Sequence, residues 1–339
     1  MIRVGIIGMG FMGRMHFGTY RKLPDQASIV AIADIDPQRA KGDLSTVWGN
    51  LGNASSTQLD MTGVQGMTDY RQMLAMPDVD LIDICVPTTV HPAVVAAALA
   101  AGKHVLCEKP LARNRKDAAI ITQAVARARG YFMPAMCMRF WPQWAWLKKA
   151  VQEGRYGRVL SAQFQRVGPC PPGWYQDGVE SGGAALDLHI HDTDFVRYCF
   201  GEPRAVTSCG YGLHSSAVDY LLTQYHYDDI PSVSAEGGWM TAGAFDFRMR
   251  YSVNFERATA DFDLARPTPL LLMQDGKSEP INCGDSNGWT EEIRYFLSCI
   301  ANQTPPSAVT AEDGARSVAL IEAEVASVMS GGARIEFVP

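Results

Sequence analysis

Among the 339 residues no apolar run is long enough to span a bilayer; the richest, Ala93–Ala101, is far short of the roughly 20 residues required. Positive charge is also in short supply. Thirty Lys and Arg against 36 Asp and Glu leave a formal net charge of −6, without the broad positive field that holds duplex DNA or an anionic membrane. Neither nucleic acid nor a membrane is therefore an expected partner. The eight cysteines, at 85, 107, 137, 170, 199, 209, 283 and 299, include no C-x-x-C pair, and Cys85 and Cys107 interrupt strand-like apolar runs as small hydrophobes do. The first residues, Met1-Ile-Arg-Val-Gly-Ile-Ile-Gly, lack the basic start, long apolar run and small-residue cleavage site of a secretory signal. These absences predict a disulfide-free, cytoplasmic protein. No internal repeat or low-complexity tract is present. What is present is a chain 47% hydrophobic and 19% charged, a globular balance long enough for two domains with sizeable cores.

The first 135 residues alternate short β-branched runs with helical segments. Strands are predicted at Ile2–Ile7, Ile29–Ala33, Leu81–Val86, His104–Cys107 and Tyr131–Ala135, with helices at Phe11–Lys22, Asp69–Met76, Pro92–Ala101 and from an Asn114 cap to Arg129. Apolar strands alternating with helices imply a parallel sheet covered on both faces. The stretch Gly42–Gly63, rich in Gly, Ser, Thr and Asn, reads as a surface excursion. After Met136 the texture changes. A Trp-rich helix (Trp141–Glu153), a strand (Arg158–Arg166), a Pro/Gly/aromatic loop (Gly168–Asp177) and a helix (Ala185–Cys199) lead into alternating runs such as Leu221–Tyr227 and Asp246–Phe255. These read as neighbouring antiparallel strands, and two helices, Thr290–Asn302 and Glu312–Met329, close the chain. The division is thus 1–135, a nucleotide-binding half, and 136–339, an α+β half.

Gly8-Met9-Gly10-Phe11-Met12-Gly13 is a G-x-G-x-x-G between a strand and a helix. The first glycine permits the tight turn, the second admits a pyrophosphate close to the backbone, and the third lets the helix pack tightly; the helix start offers N–H groups to the phosphates. Asp34, 21 residues after Gly13 and ending the second strand, is placed to accept hydrogen bonds from adenosine ribose hydroxyls. Ile35 follows it where a 2′-phosphate would call for a basic or small polar residue, which favours NAD over NADP. The alternatives are an ordinary glycine turn and a capping role for Asp34 or Asp36 before Pro37.

Lys109, in Glu108-Lys109-Pro110 just beyond a strand's carboxyl end, is expected at the nicotinamide end of the cleft, with Pro110 restricting its backbone. His91, after Pro87-Thr88-Thr89, is expected near the cofactor, with capping or packing as the alternative. Asp187, His191 and Asp194 stand at i, i+4 and i+7, one face of a helix. A carboxylate one turn from an imidazole suits general-base chemistry on a hydroxyl. His189 and His191 form an H-x-H, but on a helix they point to different faces, so no metal is expected. Trp174 and Tyr175 are candidates to stack on a sugar ring or to anchor their loop.

These motifs together resemble the glucose–fructose oxidoreductase / inositol dehydrogenase / MocA (Gfo/Idh/MocA) family over nearly the whole chain. The carriers are the glycine motif, Ile-Ala-Asp34-Ile-Asp-Pro, Ala101-Gly-Lys-His-Val-Leu-Cys-Glu-Lys-Pro110, Arg139-Phe-Trp-Pro142, and Gly182-Gly-Ala-Ala-Leu-Asp-Leu-His-Ile-His-Asp-Thr-Asp194. The resemblance implies a Rossmann domain plus an α/β domain whose open, mostly antiparallel sheet forms a dimer or tetramer interface. It implies a catalytic set of Lys109, Asp187 and His191. Cofactor contacts are expected from Gly8, Gly10, Phe11, Met12, Gly13, Asp34, Ile35, Pro87, Thr88, His91, Glu108, Lys109 and Arg139. Substrate contacts are expected from Lys109, Trp174, Tyr175, Asp187, His189 and His191. His189 departs from the family pattern, where many members carry Gly. The implied activity is hydride transfer between NAD and a secondary hydroxyl of a sugar, polyol or sugar derivative. A redox-neutral glycosidase and a cofactor-binding sensor without turnover are the alternatives.

Overall fold

The computed structural model describes residues 1–47 and 57–338. The chain forms two compact units: Met1–Met136 with Trp289–Ala315, and Cys137–Gly288 with Arg316–Pro339. The first boundary falls beside the expected one, but residues 289–315 return to the first unit, so 136–339 is not one continuous domain. The reason lies in the buried face of the returning helix, where Glu292, Ile293, Phe296 and Leu297 are shut away from solvent. The excursion expected over 42–63 lies partly outside the described residues.

The first unit holds β1 (Ile2–Ile7), β2 (Ala27–Ala33), β3 (Gln65–Met67), β4 (Leu81–Ile84), β5 (His104–Glu108) and β6 (Phe132–Ala135), with α1 (Phe11–Tyr20), α2 (Pro37–Ala40), α3 (Tyr70–Leu74), α4 (His91–Ala100) and α5 (Arg115–Arg127). All its strand pairs are parallel, in the order β3-β2-β1-β4-β5-β6. Val4, Ile6, Leu81, Ile82, Val105 and Leu106 have no exposed surface, because helices cover both faces. Asp36 caps α2 through Gln38 N–H, and Asn114 caps α5 through Asp117 N–H. The strand order reverses between β1 and β4, and that reversal opens the crevice where such sheets take ligands.

The second unit holds α6 (Pro142–Gln152), β7 (Val159–Pro169), α7 (Gly178–Ser181), α8 (Ile190–Phe200), β8 (Ala205–Tyr211), β9 (Tyr220–His226), β10 (Ser232–Met240), β11 (Arg248–Phe255), β12 (Thr259–Asp263), β13 (Leu270–Gln274), β14 (Lys277–Pro280) and β15 (Ile335–Glu336). Helices α9 (Gly288–Ala301) and α10 (Ala311–Met329) complete the chain, and the second part of α10 lies in this unit. The sheet order is β14-β13-β12-β11-β7-β10-β9-β8-β15, antiparallel except between β7 and β10. The runs at 221–227 and 246–255 therefore share a sheet without pairing, since β10 and β7 stand between them. Alternating burial along β9 and β11 marks a sheet covered on one face. Under it lies Trp144 of α6, edge-on to Phe195 at 4.7 Å and to Tyr251 at 5.3 Å.

Candidate active site

In the first unit, the loop from β1 to α1 is shaped by its glycines. Gly8 has a φ of +92°, and a Cβ there would fall 2.5 Å from the Cys85 carbonyl oxygen. A Cβ on Gly13 would fall 1.9 Å from the Gly8 carbonyl oxygen, so only glycine lets α1 settle on its own loop. A Cβ on Gly10 would meet nothing within 4 Å. That open flank, beside a helix start with no side-chain cap, is a cradle with room for a phosphate group. Phe11 and Met12 follow, half-buried, in the first turn of α1. At the end of β2, Asp34 Oδ2 accepts the Met9 N–H at 2.7 Å and Oδ1 accepts the Asp36 N–H at 2.8 Å, which pins the carboxylate beside the cradle. Ile35 next to it is 92% exposed. Arg39 Nε lies 3.5 Å from Asp36.

Beyond β4, Pro87 is half-buried and Thr88 is buried. His91 is fully buried, with Nδ1 2.9 Å from the Pro110 carbonyl and Nε2 2.9 Å from the Val86 carbonyl. Burial pushes its imidazole below the usual range, and the ring ties the loop after β4 to the loop after β5. His91 thus packs the two loops together. Glu108 is 5% exposed, Oε2 accepts the backbone N–H of Lys109 at 3.0 Å, and Oε1 lies 3.1 Å from His16 Nε2. Lys109 itself stands half-buried just past the carboxyl end of β5.

The sequence reading missed a cluster beneath this corner. His16 Nδ1 lies 2.8 Å from Asp83 Oδ2, and Cys85, Glu108 and Glu292 crowd the same imidazole. His16, Asp83 and Glu292 are wholly buried. Burial pushes His16 down, but Asp83 and Cys85 outweigh it and hold the imidazole well above its ordinary value. Burial, reinforced by the Glu108 charge, pushes the Glu292 carboxyl well up. Both shifts lessen the negative charge buried with Asp83 and Glu108. Donor atoms of His16, Glu108 and Glu292, and of His16, Asp83 and Cys85, each lie within 4.8 Å of one another, a spacing that also admits an ion. The sequence signal was Asp83, an ionisable residue inside the apolar run Leu81-Ile-Asp-Ile84.

In the second unit, the expected α-helix from Ala185 opens as a π turn over Ala185–His189 and becomes α-helical from Ile190. Asp187 and His191 are half-buried on either side of that junction. Asp194 leaves the expected face: it is 1% exposed and accepts from Arg139 Nη2 at 2.7 Å, Arg139 Nε at 2.8 Å and the Ser317 hydroxyl at 2.9 Å. Arg139 is itself 6% exposed and forms a buried ion pair with Asp194. His189 has no exposed surface, and its Nε2 lies 2.9 Å from Glu324. Trp174 and Tyr175 stack on each other with centroids 4.2 Å apart, and Tyr175 meets Trp239 edge-on at 6.4 Å. Both are half-buried, and Tyr175 at least anchors its loop.

Residues 2–135 match the profile of the oxidoreductase family with an NAD-binding Rossmann fold, and residues 144–261 match the GFO/IDH/MocA C-terminal domain. The chain belongs to the Gfo/Idh/MocA oxidoreductase family. Its similarity to the inositol 2-dehydrogenase of Rhizobium meliloti (strain 1021) is 25% identity over 96% of this chain and 97% of that one. The levoglucosan dehydrogenase of Pseudarthrobacter phenanthrenivorans is 33% identical over 61% of this chain and 53% of its own length. A solved levoglucosan dehydrogenase in complex with NADH and L-sorbose superposes with a TM-score of 0.84 at 24% identity, covering 100% of this chain and 99% of that one. At that identity the superposition speaks for the Gfo/Idh/MocA fold. Among the described residues no helix is long and apolar enough to cross a membrane, and all eight cysteines are free thiols.

Proposed function

We propose that this family member is an NAD-dependent dehydrogenase acting on a secondary hydroxyl of a sugar, polyol or sugar derivative. The observation that carries the cofactor half is the glycine cradle, open at Gly10 and closed at Gly8 and Gly13, beside a pinned Asp34. Gly8, Gly10, Phe11, Met12 and Gly13 would hold the pyrophosphate, Asp34 the adenosine ribose, and Pro87 with Thr88 the wall of the crevice. NAD is favoured over NADP because the exposed Ile35 offers a 2′-phosphate no cation and Arg39 is engaged by Asp36. When bound, the nicotinamide supplies the hydride acceptor. The substrate class follows the relatives' names, among them inositol, levoglucosan and 1,5-anhydro-D-fructose enzymes.

The reading gives each remaining residue one task. His191 takes the proton of the reacting hydroxyl as general base. Lys109 stabilises the alkoxide charge as it develops, and Asp187 holds a substrate hydroxyl or orients His191. Trp174 offers an aromatic face to a sugar ring. The alternating, one-side-covered sheet supports a homodimer or homotetramer through its open face, and the free thiols support a cytoplasmic setting. The test is a panel of polyols, aldoses, glycosides and nucleotide sugars, following NADH absorbance together with product analysis. Net NADH formation from a polyol or aldose is the expected result. Cleavage of a glycoside without net NADH would replace the dehydrogenase reading with redox-neutral chemistry.

A further inference from the structure

Between Asp187 and His191 stands a side chain that solvent does not reach. His189 Nε2 lies 2.9 Å from Glu324 Oε2 and 3.3 Å from the Tyr225 hydroxyl. Glu324, also fully buried, is the hub of the surrounding network. Its Oε1 accepts the Thr193 hydroxyl at 3.0 Å and its Oε2 the Thr223 hydroxyl at 3.2 Å, while Thr193 Oγ1 lies 3.1 Å from the Tyr225 hydroxyl. One carboxylate thereby joins the π turn to α8, β9 and α10. On its other side the imidazole lies against Gly237 of β10, where a Cβ would stand 2.3 Å from His189 Nδ1. The pocket is therefore cut to this ring: glycine where the imidazole needs space, a carboxylate where it needs an acceptor.

The location of this fit gives it a role. A π turn is rare, because a helix left to itself prefers i→i+4 hydrogen bonds. Within this turn the His189 side chain is fastened to strand β9 through Tyr225 and to helix α10 through Glu324. The turn fixes where Asp187 points, and it sets the start of the α-helical segment that carries His191. We propose that His189 is a positioning residue, which acts through the π turn to aim Asp187 and His191 and is matched to Gly237 and Glu324. This rests on the reading of Asp187 and His191 as catalytic. Misplacing reacting groups by about 1 Å costs on the order of 100-fold in rate, so a modest relaxation of the turn is readable in kcat.

The experiment compares His189→Gly, His189→Gln, Gly237→Ala and the double variant His189→Gly/Gly237→Ala, with His191→Ala as the reference, on one oxidised substrate. Each protein is checked by thermal melting and by NADH binding stoichiometry, so that rates are counted per folded site. His189→Gly is expected to lower kcat by about tenfold or more while substrate KM and NADH affinity change by less than about threefold. His189→Gln, which keeps an N–H donor for Glu324, should recover most of that loss. Gly237→Ala removes no polar group yet displaces the ring, so it should lower kcat in the His189 background and have little effect once the ring is gone. That pair of comparisons decides the matter even where His189→Gly folds poorly. Normal kcat per folded site in His189→Gly and Gly237→Ala, with His191→Ala inactive, overturns the positioning role alone. Independent, multiplicative effects of the two substitutions overturn it as well. An active His191→Ala overturns the catalytic reading and this inference with it.

Discussion

His16 Nδ1 and Asp83 Oδ2 meet at 2.8 Å with neither side chain exposed to solvent. Glu108, on the opposite ring nitrogen, spends its second oxygen on the backbone N–H of Lys109. A chain of contacts thus runs from α1 through β4 and β5 to the residue proposed to stabilise the alkoxide. Glu292 reaches the same group from the segment 289–315, which explains why that segment belongs to the first unit. Such a buried cluster stabilises the fold only while its protons are in place.

The first prediction concerns pH and stability. Both His16 and Glu292 have folded pKa values raised above their unfolded ones, about 6.5 and 4.5. Their contributions are complete below those unfolded values and are lost as pH rises through the folded ones, because the native state then holds protons that the unfolded chain has released. Melting temperature should therefore fall as pH rises above about 4.5 through Glu292, and more steeply above about 6.5, where His16 joins it. Glu292→Gln, neutral at every pH, should flatten that slope and melt higher at the alkaline end. Thermal melts across the range decide it, and an unchanged slope in the variant would show that the proton sits elsewhere.

The Rossmann half was legible because most of its strands are apolar runs, which form a parallel sheet when helices cover both faces, whereas the short β3, Gln65-Gly-Met67, carries no such signal. The candidate site was legible where chemistry demands particular residues at fixed spacing, as at Gly8, Gly10, Gly13 and Asp34. It was not legible where tertiary contacts decide. Nothing local marks Ala185–His189 as a π turn rather than an α turn, and the residues that His189 meets there, Glu324 and Gly237, stand 135 and 48 residues beyond it. The parallel pairing of β10 with β7 is equally non-local. One clue was available: two consecutive glycines inside a strand, Gly237-Gly238, signal a close approach by another group.

Lys109→Ala should lower turnover strongly while NAD affinity stays within about threefold. The charge is needed most where the alkoxide forms, so its loss belongs to the transition state. The backbone N–H bonded to Glu108 survives the substitution, so the corner and its melting temperature should be preserved. Steady-state kinetics beside a melting curve provide the check. Normal turnover would give Lys109 a structural role instead.

Cofactor choice is the third prediction. NAD should bind at least about tenfold more tightly than NADP, since a 2′-phosphate would meet the Asp34 carboxylate beside an exposed Ile35. Competitive titration of the two dinucleotides measures the ratio directly. Should NADP bind as tightly, Arg39 would have left Asp36 to take the phosphate, and Arg39→Ala would then restore the preference.

The last prediction separates architecture from cofactor binding at Arg139. Its guanidinium grips Asp194 through two nitrogens, with side-chain exposures of 3% and 1%, and stacks over Tyr198 at 4.6 Å. Truncating one partner of such a pair leaves the other charge buried, a loss of about 3–5 kcal/mol. The Ser317 hydroxyl and Arg197, 3.8 Å away, soften that loss without replacing the two-pronged contact. Arg139→Ala should therefore melt well below the parent protein, while the folded fraction binds NAD with affinity within about twofold. Thermal melting and NAD titration below the transition test the two halves separately. A variant that keeps its melting temperature but loses NAD would return Arg139 to the cofactor, and the ion pair with Asp194 would then be incidental to the fold.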